Sequence, residues 1–358
     1  MKNIKKISIL LVLVMTLGAM AIGCSSNESK GEDVDKQEKE TLIISTWGYN
    51  EDILKKNVFE PFEKKHNVDI VLEVGNNADR LNKIRMNKNS DVDIIYLASS
   101  YAIQGVKEGL FEEINRENIP NIENIYEIAK APLGEKYGPA YTVNRTGIIY
   151  DTEATKEKVD SWSDLWRDEF KDNASIANIT STAGPAMVLA AAKKADVSIK
   201  DDYDKAFEEL SKLKPNIVKT YSRSSDLVNM FTQGEIKIGV AQDFAYGRIK
   251  DALPSAEWVN PKEGAFANLN SVNIVKGSDN KELAEKFINF LLSEKVQKAN
   301  ALDKVDSPIN VNVELTKEEA EGLTYGKDLI NSLQTIDYEY INSVMSDWID
   351  KWNREISK

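Results

Sequence analysis

The chain has 358 residues, a single histidine, a single cysteine and a formal net charge of −12. One histidine argues against His-based catalytic triads and against zinc sites built from several histidines. The negative net charge disfavours nucleic acid and anionic lipid as partners, because both are negatively charged. A chain of this length has room for two domains of ordinary size.

The first residues have the pattern of an export signal. Three lysines precede an uncharged run at 7–23, which ends in small residues. Such a run is marginal for a membrane-spanning helix, which needs about 20 apolar residues, but it fits the apolar region of a signal peptide. The following residues are charged and serine-rich, which indicates a solvated tether. We predict a signal peptide over 1–23 and a flexible tether over 24–40.

The cysteine, Cys24, directly follows the apolar run. Together with Ala21, Ile22 and Gly23 it resembles the lipobox of bacterial lipoproteins, although leucine is commoner at the position of Ala21. The resemblance implies that Cys24 carries a lipid such as palmitate. The protein would then be exported and lipid-anchored to the outer face of the cell membrane. An ordinary secretory signal, cleaved nearby with an incidental Cys24, is the alternative.

From Thr41 onward, short apolar runs alternate with amphipathic segments, which predicts an open α/β sheet with right-handed crossovers. The runs are rich in β-branched residues and suit buried parallel strands, whereas the other segments have apolar residues at helical spacing. The predicted strands are TLIISTW, VDIVLEV and VDIIYLA. The predicted helices are NEDILKKNVFEPFEKKHN, ADRLNKIRMN and YAIQGVKEGLFEEIN.

The alternation restarts at Arg145, which predicts a second α/β lobe. The strands predicted from there on are RTGIIYD, ASIANI, IKIGVAQ and SVNIV. The helices predicted from there on are SWSDLWRDEF, capped by Ser161 or Ser163, then GPAMVLAAAKKA, YDKAFEELSKLKP, DLVNMFTQGE and one long helix in NKELAEKFINFLLSEKVQKANA. The remaining part, from GKDLINSLQ to WIDKWNREI, is predicted to be helical and charged.

Several of these segments resemble, in order, the extracellular solute-binding proteins of ABC importers, and more narrowly the spermidine/putrescine (polyamine)-binding group. The resemblance spans about Thr41 to Asn310. The most specific motif is Ser-Trp-x-Asp-Leu-Trp. The segments that carry the resemblance are STWGYNE, VDIIYLASSYAIQGVKEGLFEEIN, YTVNRTGIIYD, VDSWSDLWRDEFK and NPKEGAFANLNSVNIVKGSDNKELAEKFINFLLSEKVQ.

The resemblance implies an α/β fold of the periplasmic-binding-protein type (type II), with two hinged lobes and a ligand cleft between them. Closure would occur about crossover strands near Thr142, Leu269 and Pro308. In such sheets ligands bind at the carboxyl ends of the strands. The implied boundaries are 41–142 plus 269–308 for lobe one and 143–268 plus 309–358 for lobe two.

The loops that would face the cleft supply the candidate ligand contacts. The first two loops offer Trp47, Tyr49, Ser100 and Tyr101. Aromatic walls suit a ligand with methylene groups or a cationic head, through apolar burial and cation–π contact. A core position for Trp47 is the alternative.

The third loop, NITSTAGPAMV, departs from the polyamine-binding group, which has carboxylates there to pair with ligand ammonium groups. This chain offers Thr180, Ser181 and Thr182 at the start of a predicted helix. Hydroxyls and unpaired backbone N–H groups form a neutral or anion-accepting surface. Ordinary helix capping by Ser181 or Thr182 is the alternative.

The remaining candidates combine amides with one carboxylate. Asp243 is the one carboxylate that we place in the cleft, and an arginine there would suit a carboxylate or phosphate, although surface arginines are commoner. Because an unpaired buried charge costs several kcal/mol, the missing carboxylates weaken the expectation of a polyamine itself. These candidates are Arg223, Gln242, Asp243, Tyr246, Asn268 and Asn270.

We therefore expect the substrate-binding component of an ABC importer, which captures a small polar solute and delivers it to a membrane permease. The expected ligand is a polyamine or a related amine. A neutral or anionic solute, such as an amino-acid or sugar-amine conjugate, is the alternative, and a surface adhesin or sensor is a more distant one. We expect a monomer without catalytic residues, cofactor, metal or nucleic-acid partner, since no nucleophile–base pair is recognisable.

Overall fold

Nine paired strands form the centre of the fold in this computed structural model, which describes residues 39–87 and 90–357. The strands are β1 (Glu40–Thr46), β2 (Val68–Val74), β3 (Ile94–Ala98), β4 (Ala140–Asp151), β5 (Ala174–Ala177), β6 (Ile217–Tyr221), β7 (Ile238–Gln242), β8 (Ala256–Val259) and β9 (Phe266–Ile274). Within the described residues they form one mixed sheet in the order β2-β1-β3-β9-β4-β7-β5-β6, with β8 paired to β4. The predicted signal peptide, Cys24 and most of the predicted tether lie outside the described residues.

Two groups of parallel strands are joined by antiparallel pairing. β1 pairs in parallel with β2 and β3, and β5 pairs in parallel with β6 and β7. β9 runs antiparallel to both β3 and β4, and β4 runs antiparallel to β7. The prediction of two α/β lobes is confirmed, with one parallel group in each. The predicted strand RTGIIYD is only the second part of β4, which begins at Ala140.

Helices pack on both faces of each parallel group. A π-helical turn, Lys55–Phe59, joins the first two helices. None of the described helices is long and apolar enough to cross a membrane. Short 3-10 turns are Arg116–Asn118, Pro120–Asn124, Trp162–Trp166, Asp168–Phe170 and Asp243–Ala245. The α-helices are α1 (Glu51–Leu54), α2 (Glu60–His66), α3 (Asn77–Met86), α4 (Ser99–Lys107), α5 (Glu127–Lys130), α6 (Gly184–Lys194), α7 (Tyr203–Ser211), α8 (Ser224–Thr232), α9 (Tyr246–Ala252), α10 (Lys281–Leu291), α11 (Glu294–Leu302), α12 (Lys317–Ala320), α13 (Lys327–Ser332) and α14 (Tyr338–Glu355).

Both faces of the central strands are buried. On β3, Ile94 and Tyr96 enter one hydrophobic cluster while Ile95 enters another. On β4, Ile148 and Ile149 divide between two further clusters in the same way. A strand that is buried on both faces has no polar face, so its sequence is a continuous apolar run rather than an alternating pattern. This explains why the apolar runs predicted the strands correctly.

Several elements differ from the prediction. The predicted long helix consists of α10 and α11, because Ser293 has an extended backbone (φ −65°, ψ 146°) and forms the N-cap of α11. The SWSDLW segment is a 3-10 turn rather than an α-helix, although Ser161 caps it as predicted, in a reciprocal capping box with Asp164. β6, β8 and α9 were not predicted, since such short elements contain too few residues for a clear periodicity.

A close backbone approach fixes the turn that precedes α6. A Cβ added at Gly184 would lie 2.2 Å from the carbonyl oxygen of Asn178 and 2.6 Å from the Cα of Ile179. We predict that Gly184→Ala lowers the free energy of unfolding by about 1–3 kcal/mol, because the added methyl group has no space. Urea unfolding followed by tryptophan fluorescence measures this change.

Gly247→Ala is the matched control, since Gly247 lies in α9 with no atom within 4 Å of the added Cβ. Its free energy of unfolding should stay unchanged or rise by about 0.5–1 kcal/mol, because alanine favours helix. Equal stability of the two variants would contradict the prediction.

Candidate ligand-binding site

The carboxyl ends of the parallel strands meet at a cavity of about 350 Å³, here called the central cavity. Thr46, Ala98 and Gln242, the last residues of β1, β3 and β7, line it. This is the usual position of a ligand in an open α/β sheet. Because the lining comes from both parallel groups, the central cavity lies between the two lobes.

Three aromatic rings form a wall of the central cavity. The ring centres of Trp47 and Tyr96 are 6.4 Å apart, and those of Tyr96 and Tyr141 are 4.7 Å apart. Arg80 is buried, and its guanidinium carbon lies 4.7 Å from the ring centre of Trp47 while Nη1 donates to the carbonyl of Ser45 at 3.0 Å. The wall offers apolar contact for methylene groups and π-faces for a cation.

Asp306 is the only charged side chain among the described residues that line the central cavity. It is half-buried, since solvent reaches it through the cavity. Burial raises the pKa of Asp306 to about 7, and the nearby Thr142 hydroxyl partly opposes this rise. Burial, and then the charge of Asp306, also raise the pKa of Tyr96 well above its ordinary value. The buried Tyr96 hydroxyl has no hydrogen-bond partner among the described residues.

A second cavity of about 230 Å³ adjoins the central cavity and is called the polar side cavity. Asn77, Thr182 and Gln242 line both cavities. No charged side chain belongs to the described lining of the polar side cavity, so its character is set by hydroxyl and amide groups. Its lining also includes the predicted contacts Tyr101, Thr180 and Ser181.

The hydroxyls of the third loop do not cap α6. The N-cap of this helix is Ala183, and no side chain hydrogen-bonds there. The hydroxyls of Thr180 and Ser181 donate instead to the side-chain and main-chain oxygens of Asn178, at 2.9 and 2.7 Å. They shape the turn, whereas the Thr182 hydroxyl makes no hydrogen bond to a described residue and remains available to a ligand.

A third cavity of about 300 Å³, the acidic side cavity, adjoins the central cavity through Asn144, Phe244, Val305 and Asp306. Carboxylates outnumber ammonium groups in its lining. Tyr246 lines it, and its hydroxyl donates to the carbonyl of Ala256 at 3.4 Å.

Asp243, the carboxylate that we predicted for the cleft, lines the acidic side cavity and not the central cavity. It is buried, and the Thr324 hydroxyl donates to its carboxylate. Burial raises the pKa of Asp243 to about 6, and the nearby Arg145 opposes the rise. Arg145 also donates to the carbonyl of Leu323 at 3.0 Å. Asp243 therefore connects the end of β7 to the segment around Thr324.

Of two further predicted contacts, Tyr49 lies at the edge of the central cavity and Arg223 lies outside its lining. Tyr49 lines it, is 48% exposed, and accepts a hydrogen bond at its hydroxyl from Arg248 at 3.1 Å. Arg223 lines a smaller cavity of about 190 Å³ together with Tyr49. Its side chain is 79% exposed and pairs with Asp226 at 3.3 Å, as expected of a surface arginine.

Ser100 and Asn268 lie outside the lining of the central cavity and its two side cavities. The carbonyl of Ser100 accepts a hydrogen bond from Asn342 of α14 at 2.8 Å. Asn268 is buried in β9, where its Nδ2 donates to the Thr146 hydroxyl at 2.7 Å. Asn270, two residues further along β9, lines the central cavity.

Sequence reasoning did not select Asp306, Tyr96 or Tyr141. Tyr96 and Tyr141 lie inside apolar strand runs, where an aromatic residue is usually core. Asp306 had one available signal: it lies two residues before Pro308, at an expected crossover between the lobes. Crossover segments run along the cleft, so a carboxylate there was a candidate.

Comparison with known proteins identifies the family. The family described as bacterial extracellular solute-binding protein matches residues 57–323. This chain belongs to that family. The solute-binding protein is 25% identical over 290 residues to a spermidine/putrescine-binding periplasmic protein of Salmonella typhimurium, covering 80% of each chain.

Comparison with solved structures agrees with this family assignment. An ABC transporter protein from Clostridium perfringens is 50% identical and superposes with a TM-score of 0.83, covering 88% of this chain and all of the other. A spermidine/putrescine substrate-binding protein of Streptococcus pneumoniae is 20% identical with a TM-score of 0.75, covering 88% of this chain and 100% of the other. The fold is the predicted two-lobe type II fold, and the chain is the solute-binding component of an ABC transporter.

The raised pKa of Asp306 predicts a pH-dependent stability. The folded state keeps the Asp306 proton up to about pH 7, whereas the unfolded chain releases it near the ordinary value of 3.8. The free energy of unfolding therefore falls as the pH rises from about 4 to 7. We predict that Asp306→Asn is more stable than the wild type by up to about 4 kcal/mol at pH 8, with a much smaller difference at pH 5.

Urea unfolding at both pH values measures the difference in free energy of unfolding between the two proteins. The titration of Asp243 is common to both and cancels from this difference. Asp303→Asn is the control, since hydrogen bonds from Asn57 and Lys56 hold the pKa of Asp303 below its usual value. An Asp306→Asn stability difference that is the same at pH 5 and pH 8 would rule the assignment out.

Proposed function

We propose that this solute-binding protein captures an organic amine, a polyamine or a related amine, in the central cavity and delivers it to the permease of an ABC importer. One observation carries the proposal: the charged group in the described lining of the cavity is a single carboxylate, Asp306, beside three aromatic rings. A carboxylate together with aromatic faces is the usual protein environment for an ammonium group.

The electrostatics favour a cationic ligand over the alternatives. An ammonium group beside Asp306 supplies the counter-charge that the cavity lacks, so it restores the ionised carboxylate. An anionic ligand would add like charge to a site of low polarity, which is unfavourable. A neutral solute would leave the cost of the buried carboxyl group unchanged. The polyamine-binding name of the Salmonella typhimurium relative supports an amine, but at 25% identity it does not select one.

We also infer the lobe boundaries given by the sequence, 41–142 plus 269–308 and 143–268 plus 309–358. Contacts of the crossover strands support this division: Thr142 donates to the carbonyl of Ser307 at 2.9 Å, and Ser99 donates to the carbonyl of Leu269 at 2.9 Å. Hinge motion about these strands would open the central cavity to solvent.

Binding of amines to Asp306 gives the central test. We predict that Asp306→Asn weakens amine binding at least tenfold, because a buried ion pair loses one partner. Wild-type affinity should be about tenfold weaker at pH 6 than at pH 8, since the amine competes with the proton on a carboxyl group whose pKa is about 7. Isothermal titration with butylamine, putrescine and spermidine measures both effects.

Asp303→Asn, three residues away and outside the cavity lining, should bind as the wild type does. Sugar phosphates serve as the anionic comparison. Tighter binding of an anion to Asp306→Asn than to the wild type, with no binding of any amine, would replace the proposal by its anionic alternative.

We further propose that the protein is a monomer that is exported and held by lipid on Cys24 to the outer face of the membrane. The support is the position of the only cysteine, directly after an uncharged run that ends in small residues. We predict that Cys24→Ser is released into the soluble fraction and lacks the mass of the acyl chains, because one cysteine sulfur is the attachment point. Detergent phase partitioning and intact-mass spectrometry measure this.

The conservative Ser25→Ala variant is the control and should partition with the membrane. Retention of Cys24→Ser in the membrane fraction with an unchanged adduct mass would show that the anchor is elsewhere.

A further inference from the structure

Resting on the amine site proposed above, we infer that the ligand carries a single cationic centre and that its other end is a hydrogen-bonding group without positive charge, held in the polar side cavity. The inference comes from the unequal charge of the cleft. Asp306 is the one charged residue in the described lining of the central cavity, and the described lining of the polar side cavity has none.

The polar side cavity and Asp306 lie at different ends of the central cavity. Asn77, Thr182 and Gln242 join the central cavity to the polar side cavity, whereas Asp306 and its neighbours join it to the acidic side cavity. No described lining residue is common to the two side cavities. A ligand whose ammonium group contacts Asp306 therefore extends past the aromatic wall toward Thr182 and Gln242.

The groups available at that end are uncharged. The side chains of Tyr101, Thr182 and Gln242 make no hydrogen bond to any described residue. Hydroxyl and carboxamide groups both donate and accept, so they can bind a hydroxyl, carbonyl or carboxylate group of a ligand. An ammonium group there would be buried without a counter-charge, which is unfavourable. A carboxylate would be less unfavourable, because Ala183, the N-cap of α6, lines this cavity and the helix dipole favours negative charge at that end.

The acidic side cavity does not offer an equivalent place for a second ammonium group. Lys250 and Lys304 line it, and Lys304 Nζ donates to the carbonyl of Glu321 at 2.9 Å. Its buried carboxyl group, Asp243, already accepts from Thr324. Apart from Asp306, the other carboxylates in its described lining, Asp251, Glu318 and Glu321, are exposed, and solvent screening weakens ion pairs there. In this direction a second ammonium group of a diamine would meet two protein ammonium groups, while the carboxyl groups beyond Asp306 in the described lining are either already hydrogen-bonded or screened by solvent.

A matched ligand series separates the possibilities. Isothermal titration of the full-length protein in detergent would compare butylamine, 4-aminobutan-1-ol, 4-aminobutanoate and 1,4-diaminobutane, together with the corresponding six-carbon series. All members of a series share the ammonium group and the methylene chain, and they differ only at the far end. We expect the amino alcohol or the amino acid to bind at least tenfold tighter than the diamine of equal length.

Variants test whether the preference comes from the polar side cavity. Thr182→Val keeps the shape of the side chain but removes its free hydroxyl, so it should reduce the preference over the diamine several-fold. Thr232→Val is the control, because the Thr232 hydroxyl donates to the carbonyl of Val228 within α8 and lies outside the cavities. The control should keep the wild-type preference.

The outcomes also separate this inference from the amine site on which it rests. Diamine binding that equals or exceeds that of the other ligands, and that is lost in Asp306→Asn, would overturn the single-charge inference and keep the amine site. Failure of every ligand in both series would overturn the amine site and the inference together. Tight binding of the amino alcohol or amino acid, with the preference reduced in Thr182→Val, supports both.

Discussion

The antiparallel pairing of β4 with β9 is the constraint on which the rest of the structure depends. Val143 pairs with Leu269 and Asn144 with Asn268, so two strands from distant parts of the chain are held in one register. The buried amide of Asn268 bonds across this pair to Thr146, and a slip in register would leave a buried polar group unpaired. Through this pair the two parallel groups belong to one sheet, with the central cavity between them.

That arrangement explains where the carboxylate lies. In the polyamine-binding group, which this sequence resembles, carboxylates follow the first strand of lobe two, whereas this chain has hydroxyls there. Asp306 instead comes from the segment before Pro308, next to Ser307, whose carbonyl accepts from Thr142 of β4. A cavity between two lobes can receive a charge from any segment that crosses it. Loss of acids from one loop therefore does not by itself exclude a cationic ligand.

Two charged side chains near the central cavity, Arg80 and Asp306, differ in their surroundings. Arg80 lies outside the lining and is satisfied by backbone carbonyls, including those of Ser45 and Gly75. Burial lowers the pKa of Arg80 to about 10, yet it stays charged at neutral pH and stacks on Trp47. Asp306 faces the cavity with a raised pKa and no cationic partner among the described lining residues. The permanent charge orients an aromatic ring, while the unpaired carboxyl group remains available to a ligand.

The sequence by itself determined the elements and their grouping. VDIVLEV is β2 residue for residue, and the helices with clear periodicity, such as α6 and α7, lie where the pattern predicted them. These features are local, because a strand buried on both faces leaves a continuous apolar run and a helix with one buried face leaves a regular spacing of apolar residues. The family resemblance was also carried by contiguous motifs. The break at Ser293, the first part of β4, the 3-10 form of the SWSDLW segment and the short elements were not predicted, since changes of a few residues hardly alter a periodic pattern.

Only the tertiary structure decided which polar and aromatic side chains share the cavity. Tyr96 from β3, Tyr141 from β4 and Asp306 before Pro308 are far apart in the chain, and each has an ordinary local context. Asn268 and Asn270 looked equivalent in sequence, yet one is buried in the sheet and the other lines the cavity. Periodicity shows that a residue is buried, but not whether its neighbours are core atoms or an open cavity. That depends on how strands from different parts of the chain pack together.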